Sequence, residues 1–145
     1  MAVELAPFVA GAIGGIGSWF VTQFVAEPIR RFLGMRREIV QHLLDFENVS
    51  APRNDRGKIT EDFSNHDSAR LRDAQSELRR LGTKMLSFAH TDALATNLIR
   101  WLWRYDAIKA GRSLIGLSHD LAVYGSERAR HRQNIQTALR IKALP

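Results

Sequence analysis

The chain has 145 residues and no cysteine, which removes disulfides, thiolate metal sites and thiol nucleophiles from consideration. Its 21 Lys and Arg outnumber 15 Asp and Glu, and every basic residue follows residue 27, so the later part of the chain is the strongly positive one. An excess of that sign favours anionic partners, and the length allows one small domain with a real core.

From Leu5 to Ala26 no residue is charged, and Glu4 and Glu27 close the run. As a helix it would be roughly 33 Å long, which predicts a transmembrane segment over residues 1–27. At about 100° per residue, Gly11, Gly14, Gly15, Ser18 and Thr22 share one face, opposite Val9, Ile13, Ile16, Phe20 and Phe24. Small residues at this spacing admit a neighbouring helix, so that face is the expected packing surface of the span. Gly11, Gly15 and Gly17 also fit a nucleotide-binding glycine pattern, but Pro7 interrupts the strand such a site requires and no βαβ unit follows. No Lys or Arg precedes the apolar run, which argues against a secretory signal. Arg30, Arg31, Arg36 and Arg37 follow it closely, and the positive-inside rule then places the N-terminus outside and residues 28–145 in the cytoplasm. Arg outnumbering Lys by 17 to four hints at a GC-rich bacterial genome, hence an expected bacterial inner membrane.

Residues 28–145 read as a helical domain. Pro28 suits a first helical turn, and Ile29, Phe32, Leu33, Val40, Leu43 and Leu44 recur at helical spacing to about Glu47. Pro52 and Asn54-Asp55-Arg56-Gly57 mark a loop over residues 48–63. Ser64 or Asp67 can cap a helix reaching about Ala89, with Leu71, Ala74, Leu78, Leu81, Met85 and Phe88 as its apolar stripe. Thr91 or Asp92 starts a short helix whose apolar side is Leu94, Leu98, Trp101, Leu102 and Tyr105. Asp106 starts another, with Ile108, Leu114, Ile115, Leu121 and Ala122 inward, and Gly125-Ser126 precedes a basic helix from Glu127 to about Lys142. No strand-like alternation intervenes. The expected fold is all-α: one transmembrane helix and a bundle of about five helices.

The run Glu27-Pro28-Ile-Arg-Arg31-Phe-Leu-Gly-Met-Arg36-Arg-Glu38, with Leu114-Ile-Gly-Leu-Ser118 and Tyr124-Gly125, resembles a loose group of small uncharacterised bacterial membrane-anchored proteins. The resemblance implies this architecture over nearly the whole chain and transfers no catalytic residue.

Nothing in the pattern assembles a catalyst. His42 lies one turn from Glu38, yet zinc requires three or four converging ligands, and no H-E-x-x-H run exists. Adjacent pairs such as His119-Asp120 point in different directions on a helix, and Ser118 lies within one rather than on a sharp turn. No enzyme activity, metal or cofactor is expected. Trp101 and Trp103 lie about 200° apart on their helix, so one of them, Trp103 with its flanking arginines, suits a membrane interface unless both are core. Arg30, Arg31, Arg128, Arg130 and Arg132 are the candidate contacts to anionic lipid, the alternatives for the last helix being an acidic protein or a solvated basic face. Nucleic acid is not an expected partner, since no reading element accompanies the charge. The expectation is a membrane-anchored scaffolding subunit, assembled through its span with copies of itself or a partner membrane protein. The alternative is a membrane-perturbing or pore-forming effector.

Overall fold

A computed structural model describes Gly15 and residues 17–47, 65–122 and 125–141, without the side chains of residues 65–67. Five α-helices make up the bundle: α1 (Glu27–Asp45), α2 (Asn65–Thr91), α3 (Ala93–Trp103), α4 (Ala107–Asp120) and α5 (Ser126–Leu139). The all-α expectation holds among the described residues, where there is no strand.

The transmembrane helix does not. No helix of the described residues is long and apolar enough to cross a membrane. The helical turns over residues 17–26 continue without interruption into α1, where Glu27, Arg30 and Arg31 end the uncharged stretch. Gly11 and Gly14 lie outside the described residues, as does the expected loop over 48–63. Of the expected packing face, three residues are described. Gly15, Ser18 and Thr22 are exposed, nothing lies within 4 Å of a side chain built on Gly15, and Thr22 Oγ1 donates to the Ser18 carbonyl of its own helix at 2.9 Å.

Pro28 explains the one irregularity of this long helix. Proline has no N–H for the Phe24 carbonyl, and its ring crowds that carbonyl. The chain widens into a π turn over Thr22–Ala26, with the Glu27 N–H reaching back to the Thr22 carbonyl, and Pro28 then sits in the first turn of α1.

Helix α4 is the centre of the bundle, packed against α2 on one side and α5 on the other. Asp106 caps it, its carboxylate accepting the Lys109 N–H at 2.9 Å, while the Asp106 N–H donates to the Ala138 carbonyl at the end of α5. Being covered on two sides, α4 buries Ala107, Ala110, Gly111, Ser113, Leu114, Leu117 and Ser118 rather than one leucine stripe. Its crossing with α2 is made by two glycines. A Cβ on Gly82 would stand 2.8 Å from the Gly111 carbonyl oxygen and 2.7 Å from Ile115 Cγ1, and one on Gly111 would stand 2.9 Å from the Gly82 carbonyl oxygen. Small-residue packing thus operates inside the bundle. At Gly116 the ring of His131 takes the missing side chain's place, its Nε2 3.3 Å from Asp120 Oδ2.

The stripe expected on α2 is buried throughout, from Leu71 to Phe88. On α1 it is rotated: Phe32, Met35, Ile39 and Leu43 are buried, whereas Leu33 and Leu44 are exposed. Arg36 ties α1 to the end of the bundle. Its Nε donates to the Leu139 carbonyl at 3.0 Å and its Nη2 to the Arg140 carbonyl at 3.4 Å, with the guanidinium 5.5 Å from the centre of the Tyr105 ring. These are carbonyls that a helix C-terminus leaves without intrahelical partners.

Candidate functional site

Helix α3 inverts the expected placement of its side chains. Only Ala95 and Ile99 are buried, while Leu94 is 72% and Trp101 78% exposed, with Leu102 exposed beside them. The seven-residue step from Leu94 to Trp101 places both on one face of the helix, so a leucine–tryptophan ridge looks outward. The apolar arc of α3 covers more than half its circumference, wider than the bundle can bury.

The helical turns before α1 meet α3 and present a second set of apolar side chains. Trp19, Phe20, Val21 and Phe24 are exposed here. Phe20 and Phe24 lie 4.6 Å apart between ring centres, and Trp19 meets Phe24 edge-on at 6.1 Å. Trp19, Phe24 and Pro28 on one wall and Leu94 and Ala95 on the other enclose a groove of about 530 Å³. Two segments some 70 residues apart in sequence therefore build one apolar end of the molecule. Arginines flank it: Arg30 and Arg31 follow on α1, and Arg100 and Arg104 bracket the tryptophans of α3, all four exposed.

The residues expected to contact lipid separate into two groups. Arg30 and Arg31 are beside the apolar end, Arg31 in an exposed ion pair with Glu27 at 3.5 Å. Trp103 is partly exposed at 38%, stacked 6.4 Å from Tyr105, so neither α3 tryptophan is core. Arg128 and Arg132 turn into the bundle instead. Arg128 donates to the Leu121 and Glu47 carbonyls at 3.2 and 3.1 Å, and Arg132 pairs with the Glu47 carboxylate at 2.7 Å. They hold the end of α1 against α5. Arg130 is exposed and pairs with Glu127 at 3.3 Å.

The remaining electrostatic feature joins α1 to α2. Glu38 accepts from Arg80 at 2.6 Å and Lys84 at 3.3 Å. The Arg80 hydrogen bond, helped by Lys84 and opposed by burial, holds the Glu38 carboxyl below its ordinary value of 4.5, and Arg80 is correspondingly raised. Among the described residues no group of three or more His, Asp or Glu side chains is placed to hold a metal ion.

Compared with protein-family models, curated proteins and solved structures, the chain finds no match.

Proposed function

We propose that this chain is a structural module that docks on a membrane surface through its apolar, tryptophan-bearing end and presents the helical bundle as a scaffold. The observation that supports it is the exposure of Leu94, Trp101 and Leu102 on α3 and of Trp19, Phe20 and Phe24 before α1, with Trp19, Phe24 and Leu94 lining one groove. Clustered exposed apolar side chains, rather than single ones, mark interaction sites. Tryptophan flanked by arginine matches a bilayer interface, where the ring lies at headgroup depth and the cation meets phosphate. The net charge of +6 adds a general attraction to anionic leaflets. The end carries both signs, with Arg31 paired to Glu27 at 3.5 Å and Arg100 to Asp106 at 3.7 Å, so a second copy is the competing occupant that the test below separates. Docking here is peripheral.

Co-sedimentation of the full chain with vesicles containing anionic lipid tests the proposal. Replacing Leu94 and Trp101 by Ser removes two exposed apolar side chains, so folding should be retained. Each contributes about 1.5 kcal/mol or more when buried, so binding should weaken at least about tenfold. High salt should weaken it further. Undiminished binding of the double variant would refute the docking surface. A lipid-independent change from dimer to monomer in that variant would assign the ridge to self-association, and release of vesicle contents by the wild type would favour a bilayer-perturbing role.

A further inference from the structure

We propose that the groove between the π turn and the start of α3 binds a single phospholipid whose headgroup carries a primary ammonium, of the phosphatidylethanolamine type. The proposal rests on the membrane-surface reading above and adds a ligand to it. The groove's volume of about 530 Å³ lies within the range of small-molecule sites. Its two walls differ in sequence origin but agree in chemistry: Trp19, Phe24 and Pro28 face Leu94 and Ala95, a floor suited to an acyl chain.

The polar groups gather where this groove joins a second one, of about 440 Å³, that follows the seam between α1 and α2. Arg31, Thr91 and Asp92 line both. Asp92 occupies the N-cap position of α3, yet its side chain makes no cap hydrogen bond. An N-cap aspartate ordinarily accepts an N–H of the first turn, so this carboxylate is left available to a ligand. Arg31 meets only a half-exposed Glu27 at 3.5 Å, an exposed pair of the kind worth about 1 kcal/mol or less and readily exchanged. The junction therefore offers one guanidinium and two carboxylates above an apolar floor.

That set complements a zwitterion. A phosphoryl group takes two parallel hydrogen bonds from the Arg31 fork, and a primary ammonium donates to Asp92 and Glu27. A glycerol headgroup would engage Arg31 but supply no cation to the Asp92 and Glu27 carboxylates. A choline headgroup has no N–H to donate. The groove thus discriminates by the ammonium, whereas the arginine-flanked surface around it responds to net charge.

Trp19 lines the groove and reports on it directly. In the full chain carrying W101F and W103F, Trp19 is the sole tryptophan. Titration with dihexanoyl phosphatidylethanolamine, kept below its micellar concentration, should shift Trp19 emission to the blue and saturate. The choline and glycerol analogues should bind at least tenfold more weakly. Asp92→Asn, nearly isosteric, and Arg31→Gln should each lower ethanolamine-lipid affinity about tenfold, with helical circular dichroism unchanged. Equal affinity for all three headgroups, no saturable response, or full affinity in D92N would overturn the proposal. The two readings fail separately. Vesicle binding that persists without headgroup selection in the groove leaves only the surface, whereas monomeric lipid binding without vesicle association leaves only the groove.

Discussion

Replacing Gly82 by Ala places a methyl group in the crossing of α2 and α4. The new Cβ would lie 2.7 Å from Ile115 Cγ1 and 2.8 Å from the Gly111 carbonyl oxygen, where ordinary contact begins near 3.4 Å. A shift of roughly 0.6 Å is therefore required, and the atoms in the way are a backbone carbonyl and a β-branched side chain that cannot swing aside. Helix α4 has no slack to provide it, being held on its other flank by α5 and at its start by the Asp106 cap. Overpacking of this kind costs about 1–3 kcal/mol, against about 1 kcal/mol gained because Ala favours the helix over Gly. The expected net change is a loss of up to about 2 kcal/mol, or up to roughly 6 °C in Tm for a chain of this length. Gly111→Ala should behave alike, since its Cβ meets the Gly82 carbonyl oxygen at 2.9 Å and Leu86 Cγ at 2.8 Å. The double variant should lose less than the sum, because the separation forced by the first methyl makes room for the second. Gly34→Ala is the control: nothing lies within 4 Å of its Cβ, and it should stabilise α1 by about 0.5–1 kcal/mol. Thermal and urea unfolding of the four proteins measures all of this. A G82A protein stabilised as much as the Gly34→Ala control would refute the close crossing.

Two further outcomes concern charged groups. Because its partners depress the Glu38 carboxyl, its contribution is complete above about pH 4.5 and disappears as acid protonates it. Glu38→Gln should thus be less stable than wild type by up to about 1 kcal/mol at pH 7, with the gap narrowing as the pH falls below about 4.5, and urea midpoints across that range check it. Arg36→Met keeps the aliphatic stem but removes the donors to the Leu139 and Arg140 carbonyls, for an expected loss of about 2 kcal/mol. Arg36→Lys should recover less than half of that, since an ammonium cannot supply the fork; full recovery would show that charge alone suffices.

Where one periodicity and one cap determine the outcome, the amino-acid sequence was sufficient. The stripe from Leu71 to Phe88 and the Asp106 cap are local features, readable at a spacing of 3.6 residues and from one carboxylate before a helix. They establish an all-α chain and most of its helix boundaries. On α1 the same periodicity misled, because Leu33 and Leu44 compete with Met35 and Ile39 for the inward side, and only the neighbours that a helix meets decide between them. The candidate site was half legible. Its residues stood out as an uncharged run and a tryptophan pair, but the run suggested a membrane span and the α3 stripe suggested core. Tertiary structure alone turned Leu94 and Trp101 outward, since Ala95 and Ile99 already fill the space that α3 has against the bundle. It likewise took Arg128 and Arg132 from the surface to the Leu121 carbonyl at the end of α4 and to the Glu47 carbonyl and carboxylate just beyond α1, and brought Gly82 onto Gly111. Composition and periodicity tell which side chains are apolar or charged; which of them find a partner depends on distances between segments far apart in the chain.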